Sequence, residues 1–127
     1  MLYEKTTKGS VDAVCDKLCE ATTANNFGVL GSHDLKKRME DKGVSFSREC
    51  RIIEVCNPKQ AKTVLETNMA ISTALPCRIA VYEEEGVVKV STLKPTAVLG
   101  LYGSGDLEPV AKEVEETIIR IIDRACA

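Results

Sequence analysis

The stretch that decides the fold reads CRIIEVCNP over residues 50–58 and, after an amphipathic segment, LPCRIAVY over residues 75–82. In its first part the side chains alternate in character, which is typical of a β-strand with one buried face. Asn57 and Pro58 then supply an N-cap and a proline for the first helical turn, and Gln60 completes a variant of the capping box. Pro76 marks the start of a second alternating segment. The stretch therefore predicts a strand, a helix and another strand.

The alternation also assigns side chains to the two faces of the first strand. Ile53 and Val55 fall on one face, which we expect to be the core, whereas Glu54 and Cys56 share the other and would border a groove or a subunit contact. Cys56 lies one residue before a helix N-cap, a position that tends to lower the pKa of a thiol. Cys77 opens the next strand, so both strand ends at this junction carry a thiol.

Upstream, the sequence predicts a weak strand over 2–7 and a helix capped by Ser10. A short strand over 27–30 follows, and Ser32, His33 and Asp34 are then expected to cap a short helix that ends at Gly43. The strand of the central stretch is expected to begin at Phe46. The apolar residues of the first helix recur at helical spacing: Val11, Val14, Cys15, Leu18, Ala21 and Thr22.

Downstream, an acidic turn at 83–86 joins strands over 77–82 and 87–93 into a hairpin. Residues 96–105 are glycine-rich and are predicted to be a flexible connection. Asp106 is expected to cap a last helix whose broad apolar face ends near Ala125. In the middle helix, the expected buried stripe is Ala61, Val64, Leu65 and Met69.

Composition limits the classes of function. The 127 residues predict a single domain over 1–127, and 44% hydrophobic residues with a net charge of −2 indicate a globular chain with no basic excess. A dedicated nucleic-acid binder is therefore not expected. No apolar run approaches the ~18 residues of a membrane span, and the N-terminus lacks the apolar core of a signal peptide. We thus expect a cytoplasmic protein whose six cysteines are packing residues, metal ligands or reactive thiols rather than structural disulfides.

Two segments resemble the signature of a known family: VCNP at 55–58 and LPCRI at 75–79, continued by Val81, Tyr82 and Glu83. They are similar to the family catalogued as domain of unknown function number 302, and the similarity extends over about 11–94. The resemblance implies an α+β domain with an antiparallel sheet of about five strands packed by two long helices, in the order β-α-β(4)-α with short inserted helices, similar to the TATA-box-binding-protein-like fold. It also implies self-association as a homodimer. No activity is established for the family, so it supplies no catalytic residue.

The sequence leaves three functions open. The first is a small-molecule-binding homodimer in which Glu54, Asn57, Arg78 and Tyr82 make the polar contacts to an organic ligand. The second is a thiol-based protein in which Cys56 and Cys77, with His33, bind a soft metal ion such as zinc or Cu(I), or form a reversible disulfide. The third is a structural dimerisation domain. No motif of a conventional hydrolase is present, and the sequence identifies no cofactor and does not decide whether the chain is an enzyme.

Overall fold

The computed structural model describes residues 1–103 and 105–127 and contains the predicted α+β architecture. The five strands are β1 (Leu2–Thr7), β2 (Gly28–Asp34), β3 (Cys50–Cys56), β4 (Cys77–Glu84) and β5 (Val87–Leu93). The helices are α1 (Val11–Ala24), α2 (Leu35–Asp41), α3 (Pro58–Thr67), α4 (Pro95–Gly100) and α5 (Glu108–Ala125), with 3₁₀ helices at Met69–Ala74 and Gly105–Leu107. The expected order of a strand, a long helix, four strands and a long helix is confirmed.

The strands form one antiparallel sheet in the order β1-β5-β4-β3-β2. The predicted hairpin between β4 and β5 is present, and its turn places Glu85 at φ 53° and Gly86 at φ 79°. Two successive residues with positive φ are what a tight two-residue hairpin requires, because their twist matches that of the flanking strands. β5 also pairs with β1, so the amino-terminal strand forms one edge of the sheet.

One face of the sheet, which we call the inner face, is covered by α1 and α5 and forms the main core. The alternation read from the sequence is confirmed, because Ile53 and Val55 are buried there. All six residues of the predicted α1 stripe are buried as well. The buried strand residues that complete this layer are Ile79, Val81, Val88 and Val90. Full burial of one such aliphatic side chain stabilises the fold by about 1.5–3 kcal/mol.

A second core cluster lies beside the main core and joins α3, α4 and the 3₁₀ helices to the start of α5. Its buried members are Val64, Ile71, Leu99, Leu107 and Ala111. The 18 residues of α5 extend over roughly 27 Å, which lets one helix pack on this cluster with its first turns and on the sheet with the rest. The region between the two clusters is where the cavity described below is found.

The structure corrects the prediction around His33. Ser32 and His33 belong to β2, which pairs with β3, and only Asp34 caps α2, by accepting a hydrogen bond from the Lys37 amide at 3.0 Å. Pairing with a neighbouring strand outweighs the local preference of these polar residues for a helix start. The register of β2 shifts between Val29 and Gly31, which makes a β-bulge that the sequence did not indicate.

The structure also differs from the prediction at other element boundaries and in the middle helix. Residues 46–49 lie outside β3, and the expected flexible connection contains α4. Asp106 does not cap the last helix, because a 3₁₀ turn precedes it and Leu107 occupies the cap position without a side-chain hydrogen bond. In the middle helix stripe Val64 alone is buried, and Met69 is 69% exposed because the chain turns into the 3₁₀ helix there.

Candidate functional site

A cavity of about 430 Å³ lies between the ends of β3, β4 and β5 on one side and the second core cluster on the other. Its volume is within the range typical of small-molecule sites. Both faces of the strands contribute to it: Val55 and Thr92 belong to the inner face, whereas Ile52 and Ala80 belong to the opposite, outer face. The cavity therefore extends past the strand ends from the core towards the outer face.

The wall of the cavity is mainly aliphatic and carries a single formal charge. Among the described residues that line it, Arg78 is the one with a charged side chain, and no aspartate or glutamate is present. The large apolar residues of the wall include Phe27, Ile52, Val64, Leu75, Val98 and Leu99. Such a wall, with few polar groups, is the usual composition of a site for an organic molecule.

Asn57 and Gln60 form the polar part of the wall at the start of α3. The side-chain oxygen of Asn57 accepts a hydrogen bond from the Gln60 amide at 3.1 Å, so the predicted cap is confirmed. The Gln60 side chain donates to Glu113 Oε2 at 3.4 Å. Its carbonyl oxygen is buried and has no hydrogen-bond partner within residues 1–103 and 105–127. A buried acceptor without a partner is costly to the folded state.

Cys56 and Cys77 both line the cavity, but their strands direct them differently. Cys77 lies opposite Val55 in the register, so Cys56, the next residue, points to the other face of the sheet. Burial raises the pKa of the Cys56 thiol, and burial followed by the neighbouring Cys56 raises the pKa of Cys77 to about 11. The expectation of a lowered Cys56 pKa is therefore wrong, because desolvation outweighs any benefit from the nearby helix start.

His33 and Glu54 meet on the outer face, away from the thiols. His33 Nε2 lies 2.8 Å from Glu54 Oε1, and Arg78 Nε lies 3.7 Å from Glu54 Oε2. His33 is opposite Ile52, and Cys56 lies four residues further along β3, or roughly 13 Å at the usual rise per residue. His33 is therefore not brought to Cys56 and Cys77, and the described part of the chain has no group of three or more His, Cys, Asp or Glu residues placed to hold a metal ion.

Tyr82 also lies on the outer face, where it links strands rather than lining the cavity. Its hydroxyl donates to Glu4 Oε2 at 3.0 Å, and the Ser91 hydroxyl donates to the same oxygen at 2.8 Å. The bonds from Ser91 and then Tyr82 lower the pKa of Glu4. Three strands are thereby connected through one carboxylate.

The four residues predicted to contact a ligand thus divide into two pairs. Asn57 and Arg78 line the cavity, whereas Glu54 and Tyr82 lie beside it on the outer face. Gln60 was noted in the sequence only as a capping residue, and its position three residues after the N-cap was the one signal that placed it near Asn57. The sequence gives no signal for the apolar wall from α4, because the glycine-rich composition of 96–105 predicts a connection rather than a helix.

No helix in the described part of the chain combines the length and the apolar character needed to cross a bilayer.

Comparison with known proteins agrees with the fold. The family model described as "Domain of unknown function DUF302" matches residues 3–125. A crystal structure described as an uncharacterized conserved protein DUF302 from Bacillus stearothermophilus has 31% sequence identity to this chain and superposes with a TM-score of 0.93, over 99% of this chain and 98% of that chain. No curated protein shows significant similarity. The extent of the family match means that this chain belongs to the family Domain of unknown function DUF302.

Proposed function

We propose that this protein is a small-molecule-binding module that acts as a homodimer and holds a mainly apolar organic ligand in the cavity at the end of the sheet. The observation that carries the proposal is the cavity of about 430 Å³ with a largely aliphatic wall. Its polar groups are few, and one of them, Asn57, is fixed as the cap of α3. Apolar surface gives a ligand affinity, and a small number of placed polar groups gives it orientation.

Thiol chemistry is less well supported than ligand binding. Raised pKa values keep Cys56 and Cys77 protonated near neutral pH, whereas the thiolate is the form that attacks disulfides and binds metals. Cys56 and Cys77 also lie at adjacent positions of the register between β3 and β4 and point to opposite faces of the sheet. This orientation is unfavourable for a disulfide between them. Both side chains are better explained as small apolar parts of the cavity wall.

We propose that the two protomers of the homodimer contact each other through the outer face of the sheet. Leu2 and Leu93 lie opposite each other in the register and are 58% and 53% exposed. Both also line the cavity, so a second copy that covers them would lie next to the bound ligand. Burial of this leucine pair in a symmetric contact would remove apolar surface from water on both protomers.

Ligand binding is tested with N-phenyl-1-naphthylamine, a neutral apolar dye whose fluorescence rises in an apolar site. We expect the wild-type protein to bind it, and Ala61→Phe, which fills part of the cavity, to weaken binding about tenfold or more, equivalent to about 1.4 kcal/mol. Ala13→Phe adds the same ring at an exposed position of α1 and is the matched control. If the dye does not bind the wild type, or if Ala61→Phe and Ala13→Phe behave alike, the cavity is not a binding site.

A further inference from the structure

We infer that the ligand is an amphipathic organic monoanion whose carboxylate pairs with Arg78 while its apolar part occupies the cavity. This inference rests on the proposed function and names the class of molecule. It starts from the charge of the wall: Arg78 is the one formal charge among the described lining residues. A cavity with one cation and no acid favours an anionic ligand over a neutral or cationic one of the same shape.

The geometry of Arg78 leaves it able to bind an anion. Among the described residues its one ion-pair partner is Glu54, and that contact joins Nε to Oε2 at 3.7 Å, longer than a charge-assisted hydrogen bond. Its side chain is 66% exposed, so the guanidinium has not been withdrawn into the protein. The two terminal nitrogens can therefore receive a carboxylate in the bidentate arrangement that suits arginine.

Glu54 orients the Arg78 side chain but does not take the place of the ligand's carboxylate. Its carboxylate is held by His33 at 2.8 Å and does not line the cavity. Gly31 makes this arrangement feasible, because a Cβ at that position would lie 2.9 Å from Glu54 Oε1. Glu54 is thus drawn towards β2, and its one ion-pair contact with Arg78 involves Nε rather than the terminal nitrogens.

The rest of the wall defines the body of the ligand. The cavity volume corresponds to on the order of a dozen water molecules, which is enough for a short alkyl chain or one ring system. The thiols of Cys56 and Cys77 are neutral members of this wall, because burial raises the pKa of each. A ligand with one anionic end and one apolar end satisfies both parts of the site.

The test compares octanoate, octan-1-ol and octylammonium, which share a chain and differ in the charge of the head group. Isothermal titration calorimetry at neutral pH should show octanoate binding about tenfold or more tightly than octanol, and octylammonium binding most weakly. Arg78→Gln should lower the affinity for octanoate to that for octanol and leave octanol unchanged. Arg78→Glu should invert the preference in favour of octylammonium. Lys62→Gln removes one positive charge from an exposed position of α3 and should change none of the three affinities.

The outcomes separate the two levels of the proposal. If the dye binds but octanoate has no advantage over octanol, or keeps its advantage in Arg78→Gln, the inference is overturned and the binding module stands. If the dye does not bind the wild type, the proposed function fails, and the inference that rests on it fails as well.

Discussion

At the scale of single residues, the absence of a side chain at Gly31 allows the polar contact between His33 and Glu54 on the outer face. Gly31 lies opposite Glu54, and the absence of a Cβ lets the Glu54 carboxylate approach the β2 backbone and reach His33. The glycine is required here for space, not for an unusual backbone angle. Its position just after the bulge at Leu30 sets the register that brings it opposite Glu54.

We therefore expect Gly31→Ala to break the contact between His33 and Glu54. The added Cβ would lie 2.9 Å from Glu54 Oε1, so the flexible end of that side chain must move away. The free energy of unfolding should fall by less than about 1 kcal/mol, because the partner is mobile and partly exposed. The measurement is the NMR chemical shift of the His33 ring nitrogens, which should change as it does in Glu54→Gln. Gly28→Ala, whose Cβ would lie 3.7 Å from its nearest neighbour, should leave those signals in place.

Tyr3 supplies a prediction about pH. A hydrogen bond to Asp123, followed by burial, raises the pKa of Tyr3 to about 12 from its ordinary value of 10. Below pH 10 the phenol is protonated in the folded and the unfolded chain, so the bond contributes fully. Between pH 10 and about 12 the unfolded chain loses this proton first, and the stabilisation decreases.

Tyr3→Phe should consequently cost about 1 kcal/mol of unfolding free energy at pH 7, and this cost should shrink as the pH rises from 10 to 12. Urea denaturation at several pH values measures it. In an Asp123→Ala background the same substitution should have little effect at any pH, because the acceptor is gone. A cost that does not vary with pH would contradict the assignment.

At the scale of elements, the start of α3 is stabilised by a side-chain cap, the hydrogen bond from the Gln60 amide to Asn57. Asn57→Ala removes the side-chain oxygen that accepts from the Gln60 amide, and loss of such a cap typically costs about 1 kcal/mol. Asn57→Asp keeps an oxygen in the same place and should remain close to the wild type. Urea unfolding of the two variants provides the comparison. Equal losses would show that the cap bond is not the stabilising interaction.

The elements that could be predicted from the sequence are those whose signal is local. The α1 stripe from Val11 to Thr22 and the alternation of Ile53 and Val55 appear as periodic patterns, and both are buried as expected. His33 was misassigned because pairing with β3, a distant segment, decides its conformation. The cavity could not be predicted, since its wall brings Gln60 together with Val98 and Leu99 through packing that no local pattern records. Asn57 and Arg78 are candidates from the sequence as polar residues of the central stretch, and both line the cavity.

At the scale of the whole molecule, the sheet has one face in the core and one that is available to a partner. The inner face is sealed by α1 and α5, whereas the outer face combines the Leu2 and Leu93 pair with linked polar groups such as Glu4, Tyr82 and Ser91. Apolar side chains beside satisfied hydrogen bonds are common in protein interfaces. This division is the basis of the proposed homodimer.

We expect sedimentation velocity to show a dimer for the wild type and a shift towards monomer for Leu93→Glu. The substitution would place a charge within the apolar part of the contact on both protomers and should raise the dissociation constant about tenfold or more. Leu101→Glu is the matched control, because Leu101 is 78% exposed and lies after α4 rather than on the sheet. A wild type that sediments as a monomer throughout the tested concentrations would refute the homodimer.

The two flanks of the sheet have a consequence for solution behaviour. On one flank the bulge at Leu30 interrupts the ladder of β2, and on the other β1 presents Glu4 and Lys5. Neither flank offers a straight, uncharged template onto which a strand from another molecule can add. Edge-to-edge addition of strands into fibrils is therefore disfavoured. Concentrated samples should not form such fibrils, even though leucine side chains on the surface of the sheet are exposed.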